Sequence, residues 1–195
     1  MTLRKVLIEN HNNFLGYQMR EFYIHGDIPF FIVHDLDPEK VNIQKVINVI
    51  NQKIPKELFH GVDGIYVAHL PEFEERAINA IYKDSAIYVT NQQDNNLDMI
   101  DDIVHELAHS VESHFHDFLN SNYDEDFDFY LYDEVGYNAL DGYIEGCFLS
   151  PYSATSMREY FAVAFTDYFL YDRDSVKKIC PAAYLKIRNL IKKGK

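Results

Sequence analysis

Apolar residues in the first half of this chain cluster in short aromatic and β-branched runs, and in the second half they recur every third or fourth position. Strands are therefore expected first and helices later. Residues 21–35 (EFYIHGDIPFFIVHD) hold two such runs around His25-Gly26-Asp27, with Pro29 at a strand start or edge, which predicts a hairpin or bent strand. Asp37-Pro38 reads as an N-cap and first-turn proline. The stripe Val41, Val46, Ile47, Ile50 and Ile54 then predicts an amphipathic helix that covers the sheet and ends near Pro55. Residues 64–70 form a strand candidate stopped by Pro71, and residues 77–82 and 86–90 flank Lys83-Asp84-Ser85 as a hairpin. Residues 86–90 are expected at the sheet edge.

From Leu97 the period changes. Leu97, Ile100, Val104, Leu107, Ala108, Val111, Phe115 and Phe118 predict a helix to about Leu119. An acidic aromatic segment follows, then a helix from Met157 to Tyr171 and another from Ser175 to Lys192 interrupted by Pro181. Strands before helices mean α+β: a small mixed or antiparallel sheet with an N-terminal covering helix, then a helical C-terminal half. Nothing resembling a repeat or linker divides residues 1–195, so one domain is expected, and 47% hydrophobic residues suffice for its core.

The chemistry lies in the middle of the long helix. His105-Glu106-Leu107-Ala108-His109 is an HExxH motif, which puts two imidazoles one turn apart on a single face where both can bind one metal ion. Glu106 projects beside them, where it can take a proton from a metal-bound water. The motif supplies two ligands and a general base.

Charge narrows the partners. A net charge of -13 disfavours nucleic acid and anionic membranes, and suits a basic protein or peptide. Acidic residues crowd 124–134 and basic ones crowd 186–195, runs expected to be solvated faces. The N-terminus lacks a secretory apolar core and there is no long apolar run, so a cytoplasmic chain is expected, with Cys147 and Cys180 as reduced, buried thiols.

A catalytic zinc needs a third protein ligand. Six positions after His109 stands Phe115, which excludes the metzincin pattern, and a continuing helix carries His114 and His116 off the metal face. Glu159 is the strongest carboxylate, sharing a helix face with Ala162, Val163 and Thr166. Ser156-x-x-Glu159 is equally a capping box. Glu134, Asp141 and Glu145 are alternatives to it.

His105 to His109 with Glu112, then Tyr152, then Glu159-Tyr-Phe-Ala-Val-Ala-Phe165, resembles the catalytic domain of anthrax lethal factor and the related clostridial Pro-Pro endopeptidases. The resemblance spans roughly residues 60–190, but three short blocks carry it. It implies a zincin-like metallopeptidase with one zinc ion held by His105, His109 and Glu159. It also implies Glu106 as general base and Tyr152 as donor to the developing oxyanion. Glu112 matches an acid common in that family and is expected to orient a ligand, pair with a base or lie in solvent. The expected function is a zinc-dependent endopeptidase acting on an extended protein or peptide, whose chain pairs with the 86–90 strand. The competing expectations are an inactive protease-like binding module, with structural or absent zinc, and a hydrolase of non-peptide amides.

Overall fold

The computed structural model describes residues 14, 16–114, 146 and 148–193. It has mixed α+β architecture and divides into two compact units, Met1–Ser110 and Val111–Lys195.

The first unit is built on a five-stranded sheet. Strands β1 (Arg20–Ile24) and β2 (Ile28–Ile32) form the expected hairpin, pairing Ile24 with Ile28 across the turn His25-Gly26-Asp27. Gly26 has φ +82, a conformation that costs little without a Cβ. Helix α1 (Ile43–Lys53) is capped by Asn42, whose side chain accepts the Lys45 N–H. The expected Asp37-Pro38 start is therefore displaced. Asp37 closes its own turn instead, its carbonyl accepting from Lys40 and Val41 and its side chain from the Glu39 N–H.

Strand β3 (Gly64–Val67) leads to a short helix α2 (Pro71–Arg76), which Pro71 opens rather than ending the preceding strand. Strands β4 (Ala80–Lys83) and β5 (Ala86–Val89) follow, joined by Asp84 and Ser85, both at positive φ (52° and 59°) as in a two-residue hairpin. The sheet order is β1-β2-β3-β5-β4, with β2, β3 and β5 parallel and the two edge strands antiparallel.

Among the described residues the sheet is thus mixed and all its strands precede the HExxH helix, as expected, but β5 is not its edge. Strand β5 sits between β3 and β4, with all four of its residues buried, whereas β4 exposes Lys83. A charged residue is tolerated on an edge strand but not within a doubly covered one, so the hairpin docks with β4 outermost.

One sheet face carries an aromatic ladder across adjacent strands. Phe31, Tyr66 and Tyr88 are register neighbours whose rings stack at 5.0 and 5.3 Å, with Phe14 stacked on Tyr66 at 5.6 Å. Burial pushes the Tyr66 phenol pKa well above its usual value, so it stays neutral in this layer. The opposite pleat presents Phe30, Ile65 and Ile87, all fully buried. Helix α3 (Asn96–His114) begins after Asn95, whose side chain accepts the Leu97 and Asp98 N–H groups.

The second unit is helical in its described part. A 3-10 turn (Tyr152–Ala154) precedes α4 (Met157–Leu170), α5 (Arg173–Ile179) and α6 (Pro181–Lys193). Where one interrupted helix is expected there are two, because Pro181 cannot continue α5 and instead opens α6. Helix α4 is nearly enclosed, with Phe161, Ala162, Ala164 and Phe165 wholly inaccessible and Phe165 against Phe169 at 4.8 Å. Cys180 is a buried free thiol whose pKa burial raises to about 11; Cys147 lies outside the described residues. Among the described residues, no helix is long and apolar enough to cross a membrane.

Candidate metal centre

The middle of α3 brings the three motif residues together as their spacing requires. The His105 and His109 rings lie 5.0 Å apart, nearly perpendicular, and one ligand atom from each of His105, Glu106 and His109 falls within 4.8 Å of the others. His109 is 7% exposed, which shields that imidazole, while His105 and Glu106 are partly accessible. Two imidazoles on one helix face are donors that suit a borderline ion such as zinc, so these residues could contribute to a metal site, with the Glu106 carboxylate beside it.

Glu106 also has a partner from the sheet. Its Oε2 accepts the Tyr82 N–H at 2.6 Å. The β4–β5 hydrogen bonds alternate, and Thr90 N–H donates to Asn79 O at 2.7 Å, so the backbone groups of Ala80 and Tyr82 point away from β5, to the side where β4 has no neighbouring strand among the described residues. The Tyr82 N–H is therefore an edge donor taken up by the motif carboxylate. The Tyr82 phenol is anchored on the Gly61 carbonyl at 3.0 Å, and burial raises its pKa.

One turn before Glu106 stands Asp102. Gln93, itself 3% exposed, donates Nε2 to Asp102 Oδ2 at 3.0 Å. Burial pushes the Asp102 carboxyl up to about 6, and the nearby charges of Asp98, Asp101 and Glu106 act in the same direction. Gln93 Oε1 is a buried atom with no partner among the described residues.

Comparison with protein-family models and with curated proteins returns no match. The site is therefore read from its own atoms.

The other expected site residues belong to the second unit. Tyr152, 54% exposed, sits in the 3-10 turn ahead of α4. Glu159 occupies the first turn of α4, its N–H donating to Ser156 Oγ at 3.2 Å, so Ser156 is the cap that the sequence suggests. Glu112 is 3% exposed and pairs with Arg158, Nε to Oε2 at 3.1 Å, which selects the basic partner from the expectations for that residue. Glu134, Asp141, Glu145 and His116 lie outside the described residues, as does the side chain of His114.

Three features had not been anticipated: the Tyr82 donor, the Asp102–Gln93 pair and Arg158. The i,i+4 spacing of Asp102 and Glu106 was visible in the sequence. A backbone N–H has no sequence signature.

Proposed function

We propose that this chain is a zinc-dependent endopeptidase of zincin-like arrangement, built as a single domain and acting on an extended protein or peptide. The observation that carries the reading is the convergence of His105, Glu106 and His109 on one stretch of α3, with Glu106 held against the outer side of β4 by the Tyr82 N–H. His105, His109 and Glu159 would hold one zinc ion. When bound, the zinc would supply Lewis-acid chemistry, lowering the pKa of a water toward neutrality.

The chain's own residues do the rest. Glu106 takes the proton from the attacking water and later delivers it to the leaving amine, while the exposed Tyr152 phenol donates a hydrogen bond to the developing oxyanion. The substrate lies along β4, whose outward Ala80 groups and Tyr82 carbonyl can pair with an extended chain. A basic substrate suits the net charge of -13.

Metal dependence tests the ligand set. Peptide hydrolysis should vanish on chelation and return with one equivalent of zinc, and His105→Ala, His109→Ala and Glu159→Ala should each lose most zinc affinity. Unchanged affinity in Glu159→Ala would remove Glu159 from the set.

A further inference from the structure

We infer that the backbone N–H of Tyr82 is a positioning group for Glu106, so that the sheet edge which receives the substrate also orients the general base. The inference rests on the peptidase reading for its consequence, but not for its geometry. A carboxylate on an exposed helix face would sample several rotamers, each giving a different angle to the attacking water. Here Oε2 is fixed by a short contact of 2.6 Å to a strand N–H. Charge-assisted bonds of this kind are about twice as strong as neutral ones.

The donor is itself rigid. Tyr82 is paired with Ile87 in the β4–β5 register, its phenol is tied to Gly61, and its N–H points away from β5, so the ladder makes no use of it. One carboxylate oxygen is thereby engaged, leaving Oε1 to exchange protons with water and amine. The Tyr82 N–H is also removed from the hydrogen bonds available to a substrate. Pairing with an extended peptide falls to Ala80 and to the Tyr82 carbonyl.

The role belongs to the backbone, so position 82 should tolerate a change of side chain but not loss of its N–H. Proline is suited to the test, because at an outward-facing position of an edge strand it deletes a donor that the ladder does not use. In the zinc-loaded enzyme, Tyr82→Pro should lower kcat at least 10-fold with KM and zinc content little changed. Tyr82→Phe, which gives up the phenol anchor but keeps the N–H, should lose far less kcat than Tyr82→Pro.

Amide NMR of the zinc-loaded protein supplies a readout independent of turnover. The Tyr82 amide proton should be shifted downfield and protected from exchange, and both properties should disappear in Glu106→Ala. Full kcat in a folded Tyr82→Pro enzyme, or an ordinary, fast-exchanging Tyr82 amide in wild type, would overturn the inference. A wild type inactive on every peptide would refute the peptidase reading, and the amide result would still decide whether Tyr82 holds Glu106.

Discussion

Glu112 is almost wholly buried while Arg158 keeps more than half its side-chain surface in solvent, so the two ends of this ion pair carry unequal costs. Removing Arg158 takes a cation from a carboxylate that is almost cut off from water, whereas removing the Glu112 charge lets an exposed guanidinium hydrate. Arg158→Leu is expected to cost about 2–3 kcal/mol in urea denaturation and Glu112→Gln about 1 kcal/mol. Equal losses would show that the pair is effectively solvated.

Asp102 acts in the opposite sense. Its folded pKa, near 6, lies above the unfolded carboxylate value, so folding favours the protonated form. The stability this gives is complete below about pH 4 and is lost as pH rises toward 6. Asp102→Asn is neutral throughout and can still pair with Gln93, so it should stabilise the protein by about 1–3 kcal/mol at pH 8 and by little at pH 4. A gain independent of pH would contradict this account. The histidines of the motif were legible in the sequence because metal binding on a helix imposes a residue type and a spacing. Arg158 and Gln93 were not, because their partners lie 46 and 9 positions away and no periodicity links them.

At the level of elements, most of the pattern was visible because buried positions recur with the period of the element, as Val46, Ile47 and Ile50 do in α1. The errors fell where a local signal had two physical uses. Asp37-Pro38 closes a turn as readily as it starts a helix, and Pro71 at the end of a strand is also a favourable first helical residue. Strand order was hidden for another reason: the β4–β5 hairpin could have docked by either strand, and burial of β5 on both faces decided it. The hairpin turn offers a direct check. Asp84 and Ser85 both hold positive φ, which asparagine and glycine adopt at lower cost. Asp84→Asn with Ser85→Gly should raise stability by about 0.5–1 kcal/mol, measured by thermal denaturation. Destabilisation would mean that these side chains are needed elsewhere. Asn42→Ala should cost about 1 kcal/mol, as loss of the α1 cap, and Asp37→Ala less.

Over the whole molecule, the sequence order of strands followed by helices corresponds to a sheet unit that ends inside the HExxH helix and a helical unit that continues from it. His105, Glu106 and His109 belong to the first, and Tyr152 and Glu159 belong to the second. The sheet unit owes its rigidity to the ladder of Phe31, Tyr66 and Tyr88, so Tyr66→Ala should cost about 3–5 kcal/mol. The proposed peptidase activity requires Glu106 to activate water for peptide hydrolysis. Its most direct test is to incubate zinc-loaded wild type and zinc-loaded Glu106→Gln with a diverse peptide library and identify the products by mass spectrometry. Cleavage at internal bonds by the wild type, absent with Glu106→Gln despite equal zinc content, is the predicted result. Zinc bound by both proteins with no new peptide from either would contradict it and make the chain a binding module.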